Sequence, residues 1–193
     1  EIKENIPQNN YFCIFSRITK KKGIIDAIEA IEKVSILEKV DIKLDIYGPI
    51  EEEFKNEFYS AILGKEKICE YKGVIQPEKS VEVLKKYFCL LFPTHWHHEG
   101  IPGTIIDSLS AGVPIIARCW QYCREMIEDK KTGYIYEFDF PEKLVETMLY
   151  AIKNREETLQ MRYFCIKEAE KYKKENVLKI IYKELKIKKE EDY

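Results

Sequence analysis

At 193 residues the chain is sized for one domain, or one and a small appendage, and it is long enough to bury a core. Its 32 basic and 34 acidic residues leave a formal net charge of −2, which excludes a strong field for nucleic acid or an anionic membrane. No apolar run approaches the roughly 18 residues of a membrane span. Cys13, Cys69, Cys89, Cys119, Cys123 and Cys165 stand mostly in apolar runs without a C-x-x-C pair. This predicts reduced thiols packed as small hydrophobes in a cytoplasmic protein, with a metal or redox role for Cys119 and Cys123 as the alternative. No signal peptide is expected, and a chain starting at Glu1 is expected to be a piece of a longer protein.

In chain order, residues 11–16 predict a first buried strand and 23–34 a helix whose inner face carries Ile24, Ala27, Ile28 and Ile31. Residues 41–47 alternate as a second strand, 51–63 predict an acidic helix, 68–71 a short third strand and 80–86 a helix. The apolar runs 87–92 and 112–117 predict the next two strands, with a short helix over 103–111 between them. Residues 120–125 open another helix at the acceptor side, and 132–137 give a turn and a last strand. Helices follow over 140–153, 156–173 and 176–186, the last with Val177, Ile180, Ile181 and Leu185 on one side. The charged stretch 188–192 is expected to be a solvated end. Strand and helix alternate throughout, which predicts an α/β fold with a doubly wound parallel sheet.

A sheet in the order 3-2-1-4-5 switches direction between the first and fourth strands, and ligands bind outside the carboxyl ends of those strands. The two loops there, 16–22 and 93–103, also hold the residues with least reason to build a core. The first carries Arg17 and three successive lysines ending at Lys22. Cations at a helix N-terminus oppose its dipole, so an anion is expected to join them. The second carries His95, Trp96, His97, His98, Glu99, Gly100 and Gly103 ahead of a helix N-terminus, which suits a phosphate or a sugar hydroxyl. Glu99 and Asp107, eight residues apart, are expected to face one crevice as acceptors for paired hydroxyls of a polyol. A capping acid beside a solvated aspartate is the alternative. The three histidines with Glu99 also raise a metal site, but no distant ligand is evident. Trp96 and Trp120 are expected to pack rather than to stack on sugar.

The run Glu99-Gly100-Ile101-Pro102-Gly103-Thr104-Ile105-Ile106-Asp107-Ser108-Leu109-Ser110-Ala111-Gly112-Val113-Pro114 resembles the E-G-F-G-x-x-x-x-E-A-x-A-x-G-x-P-V segment of retaining GT-B glycosyltransferases of the family-4 type, also called group 1. Arg17 to Gly23 resembles the family's G-R-x-x-x-x-K-G element, with Ser16 in place of its first glycine, and 132–137 its N-G-x-L element. The resemblance runs from Tyr11 to about Leu185. It implies the C-terminal, Rossmann-like donor-binding half of such an enzyme over about 11–154, followed by C-terminal helices over about 155–187, with the N-terminal acceptor domain absent from this chain.

By that resemblance, Arg17 and Lys22 neutralise the donor diphosphate, Glu99 lies at the donor sugar, and Gly100, Ile101, Gly103 and Thr104 offer backbone to sugar and diphosphate. Asp107 holds the ribose, and Val74 and Ile75 meet the base. Asp107 is one methylene shorter than the family's glutamate, and Pro102 stands where a glycine and its N–H are usual. The implied reaction is transfer of a glycosyl group from a nucleotide sugar, with retention, to a hydroxyl acceptor in polysaccharide or glycoconjugate synthesis. No cofactor and no metal are implied, the nucleotide sugar being a substrate. The implied partners are that nucleotide sugar and a sugar or lipid-linked acceptor, with no nucleic acid. The full-length protein is expected in the cytoplasm, peripherally at the inner membrane face. A non-catalytic nucleotide-binding domain and a sugar-nucleotide epimerase of the same fold are the alternatives.

Overall fold

The computed structural model describes residues 7–185, so residue 186 and the charged stretch 188–192 lie outside the described residues. Six parallel strands form one sheet in the order β3-β2-β1-β4-β5-β6: β1 Asn10–Phe15, β2 Ile42–Tyr47, β3 Cys69–Gly73, β4 Cys89–Phe92, β5 Ile115–Arg118 and β6 Gly133–Tyr136. The expected order holds, and β6 extends it by one strand. The central strands are buried on both faces, which is why they read as apolar runs rather than as alternating ones.

Helices cover both faces, and two apolar clusters result. On one side α1 (Ile24–Leu37), α2 (Lys55–Ile62) and α6 (Lys143–Lys153) bury Ile28, Ile31, Phe58, Leu144 and Met148 against Phe12, Ile14, Leu44 and Ile116. On the other, α3 (Ser80–Leu84), α4 (Gly103–Ala111) and α5 (Cys123–Met126) bury Leu84, Ile105, Leu109 and Met126 against Cys13, Leu90, Phe92 and Ile115. The helix α7 (Arg155–Ala169) packs on α4 and serves both clusters, giving Met161 to the first and Cys165 and Ala169 to the second. Five of the six cysteines are buried, and burial raises their thiol pKa values, that of Cys69 to about 12. They behave as packing groups.

Several helices differ from expectation at their ends, where local hydrogen bonding decides. The acidic segment begins as a 3₁₀ turn, Glu52–Phe54, before α2, and the helix expected from residue 140 starts only after Pro141. The helix expected over 120–125 shrinks to the single turn of α5. The helix expected over 156–173 ends as α7 at Ala169, followed by a 3₁₀ turn at Glu170–Tyr172 and then α8 (Lys174–Glu184). The side of α8 that carries Val177, Ile180 and Ile181 is exposed rather than packed on the core.

Candidate functional site

The carboxyl ends of β1 and β4 lie side by side, and backbone chemistry locks their loops together. After β1 the chain is held by Ile18, which is fully buried, bridges to Ile50 and exchanges backbone bonds with Pro49 and Glu51 at 2.8 and 3.1 Å. Anchoring at residue 18 leaves Arg17 projecting into solvent. A 3₁₀ turn, Lys20–Lys22, follows, and Gly23 takes a left-handed conformation with φ of 65° to start α1. A Cβ at Gly23 would stand 1.9 Å from the carbonyl oxygen of Pro93, so glycine is what permits the two loops to touch.

From the β4 side, the His95 N–H donates to the Lys21 carbonyl at 2.8 Å. The buried Thr94 hydroxyl accepts from the Trp96 N–H at 3.1 Å and lies 3.1 Å from Glu99 Oε1 and 3.3 Å from the Lys21 carbonyl. Lys22 forms a direct ion pair with the same Glu99 oxygen, the two side chains being 20% and 12% exposed. His95 Nε2 meets Asp26 Oδ2 at 2.7 Å, and His98 Nδ1 meets Gln121 Oε1 at 2.9 Å. The His97 ring sits edge-on to Phe138. The His97 and His98 rings also meet edge to face, with centroids 5.3 Å apart, whereas His95 turns away to Asp26.

Arg17, Thr19, the three lysines, Glu51, Trp96 and Glu99 line one cavity of about 520 Å³. It thus unites Arg17, Lys22 and Glu99, drawn from two loops that are far apart in sequence. Gly100, Ile101, Gly103 and Thr104 do not line it; α4 begins four residues after Glu99, at Gly103, with Pro102 as its N-cap and no side chain bonded to its first N–H groups. A Cβ at Gly100 or Gly103 would meet nothing within 4 Å, so neither glycine is required by packing within the chain. Ile101, on the same approach, is exposed, and the Thr104 hydroxyl is buried with no hydrogen-bond partner.

The other candidates lie along α4 toward α3. Asp107 is absent from the cavity wall; its Oδ2 accepts from Ser80 Oγ at 2.7 Å, and that hydroxyl also lies 2.7 Å from the Pro77 carbonyl. Ser80 opens α3 after a 3₁₀ turn, Pro77–Lys79, which follows the loop that holds Val74, which is exposed, and Ile75, which is half-buried. Ser80 therefore ties Asp107 to the segment after β3, while Arg17, Lys22 and Glu99 gather in the cavity. Sequence reasoning missed Thr94, Asp26 and Ser80, which position the candidates through contacts between elements. It also expected Trp96 to pack. Trp120 does, 1% exposed against Phe92, whereas Trp96 is 44% exposed on the cavity wall.

Among the described residues no helix is long and apolar enough to cross a membrane. The sequence matches the family model described as glycosyl transferases group 1 over residues 1–172. It is 28% identical over 178 residues to a poly(glycerol-phosphate) alpha-glucosyltransferase of Bacillus subtilis (strain 168), a match covering 90% of this chain and 25% of that protein. The fold matches Anabaena Alr3699/HepE in complex with UDP-glucose at a TM-score of 0.80 and 16% identity, covering 93% of this chain and 49% of that one. It matches the C-terminal domain of a group 1 glycosyl transferase, LpcC of Francisella tularensis, at 0.74 and 20%, covering 89% and 90%. S. aureus TarM matches at 0.78 and 21%, covering 92% of this chain and 35% of that one. The chain spans a quarter of the length of the curated relative, its α/β sheet has the fold of a C-terminal domain of such enzymes, and by the family match it belongs to the group 1 glycosyl transferases.

Proposed function

We propose that this chain is the donor-binding half of a retaining glycosyltransferase that moves a sugar from a nucleotide sugar, a UDP-sugar, to a hydroxyl acceptor. The observation that carries the reading is the cavity in which Arg17, Lys22 and Glu99 meet, Glu99 standing four residues ahead of the uncapped start of α4. Breaking the bond between sugar and diphosphate leaves negative charge on the departing phosphate. Fixed cations and backbone N–H groups aimed at that charge stabilise it most where water is excluded. Arg17 and Lys22 supply the cations, and Gly103 and Thr104 the N–H groups. Glu99 accepts from sugar hydroxyls, and Lys22, which pairs with Glu99 at rest, turns to the diphosphate when the donor arrives. Asp107 takes the ribose hydroxyls in place of Ser80, and Val74 and Ile75 border the base. The acceptor is bound by a second domain, and the work of the whole protein is polysaccharide or glycoconjugate synthesis at the cytoplasmic membrane face. The name of the B. subtilis relative and the UDP and UDP-glucose bound to the Anabaena protein support this choice of donor and of a hydroxyl-bearing polymer.

Calorimetric titration of the chain with UDP and with uridine tests the phosphate assignment. Lys22→Ala is expected to weaken UDP binding by about 1.5–3 kcal/mol, the range of a charge-assisted bond, and Arg17→Ala by about 1.5 kcal/mol because solvent screens its exposed head. Uridine affinity should be unchanged in both. An equal loss for the two ligands would refute the assignment.

Asp107→Asn keeps the shape of the side chain while replacing a charged acceptor by an amide. We expect UDP affinity to fall by about 1–2 kcal/mol. 2′,3′-Dideoxy-UDP, which has no hydroxyls to present, should bind the variant and the parent alike. A matching loss for the dideoxy compound removes Asp107 from the ribose site and leaves it as the partner of Ser80.

A further inference from the structure

We propose that Trp96 is the platform on which the pyranose ring of the donor lies, and hence a determinant of which sugar is accepted; this rests on the donor-site reading above. Lone exposed aromatics are common on protein surfaces, and exposure alone would carry nothing. Three further observations single this one out. The indole shares its cavity with Glu99, Arg17 and Lys22. Both backbone polar groups of Trp96 are fixed, its N–H on Thr94 Oγ1 at 3.1 Å and its carbonyl on the Glu99 N–H at 3.2 Å, so ring and carboxylate leave one turn together. The Lys21 ammonium stands 4.5 Å from the ring centroid, so one indole face already holds a positively charged group, and the C–H face of a sugar takes its place when Lys21 turns to the diphosphate.

A pyranose has two kinds of surface, a face of C–H groups with partial positive charge and a rim of hydroxyls. An indole face is electron-rich and apolar and takes the first; a carboxylate is an acceptor and takes the second. Trp96 and Glu99, set three residues apart on one cavity wall, offer both surfaces at once. A free nucleoside diphosphate has no such ring to place there, so the platform separates UDP-sugar from UDP.

The protein has two tryptophans, and Trp120 is buried against Phe92, so both emit, but a change in emission on ligand binding that is lost in Trp96→Phe reports on Trp96. The test takes the tightest binder among UDP-glucose, UDP-galactose and UDP-N-acetylglucosamine and compares it with UDP, by fluorescence and calorimetry. In the parent chain the sugar nucleotide is expected to shift the emission and UDP to leave it nearly unchanged. Trp96→Ala should weaken the sugar nucleotide about fivefold and UDP less than about twofold, and Trp96→Phe should restore most of the difference. If Trp96→Ala changes both affinities equally or neither, the platform is refuted, while loss of UDP binding in Lys22→Ala still upholds the donor reading. A parent chain that binds none of the four compounds overturns the donor reading and the platform with it.

Discussion

Gly23→Ala is expected to destabilise the chain by roughly 3 kcal/mol or more and to remove UDP binding with it. Two costs combine at this position. An L-residue held at φ of 65° gives up about 1–2 kcal/mol to the clash between its Cβ and its own backbone. The new Cβ would also lie 1.9 Å from the carbonyl oxygen and 2.8 Å from the carbonyl carbon of Pro93, and a backbone group has no rotamer in which to retreat. Either α1 or the loop after β4 must move, and each move separates Lys22 from Glu99. Gly64 is the control, because its φ is 77° and an added Cβ meets nothing within 4 Å, so Gly64→Ala carries only the conformational cost of about 1–2 kcal/mol. Urea unfolding of the two variants measures both contributions. A Gly23→Ala chain no less stable than Gly64→Ala would show that the loops are not wedged together as described.

Arg162→Ala is expected to cost about 3 kcal/mol, although it lies far from the cavity. Arg162 is 3% exposed, and its guanidinium donates to the carbonyls of Tyr87 at 3.1 Å and Lys85 at 2.9 Å. These carbonyls follow the end of α3, where helical acceptors run out of partners, so the cation completes a helix terminus from another element. Desolvation lowers its pKa, which shows that the burial is unfavourable for the charge taken alone. Truncation leaves two buried acceptors without donors, at about 1–3 kcal/mol each, and a void in the wall of α7. Arg162→Lys keeps one donor and should lose about half as much. Denaturant midpoints at constant slope give the comparison; a loss below about 1 kcal/mol for Arg162→Ala would mean that water or a neighbour already serves those carbonyls.

Much of this arrangement was legible in the sequence because it is written in local terms. Buried parallel strands are short apolar runs, and residues 87–92 and 112–117 read as such. The switch point then follows from strand order, and it selects the loops that hold Arg17, Lys22 and Glu99. What stayed hidden depends on partners distant in sequence. Nothing in the vicinity of Asp107 announces Ser80, nothing near His95 announces Asp26, and Arg162 reads as one more charge on a polar helix. Trp96 was misjudged for a related reason. Composition says that tryptophan packs, and only the path of the loop decides that Trp120 turns inward while Trp96 stays on the rim.

The position of the site at the β1–β4 seam also bears on how the chain acquires its function during folding. Strands β1 to β3 and β4 to β6 each pair with near neighbours in sequence, but Cys13 and the Cys89 carbonyl that its thiol reaches at 3.8 Å are 76 residues apart. Closing so long a loop is entropically costly and slow relative to local pairing. Arg17 and Lys22 belong to the half made first by the ribosome, and Glu99 belongs to the other. A partly folded chain can hold either set of side chains but not the cavity between them. A nucleotide that needs both halves therefore binds only chains in which the seam has closed, and by mass action it draws the population toward that state.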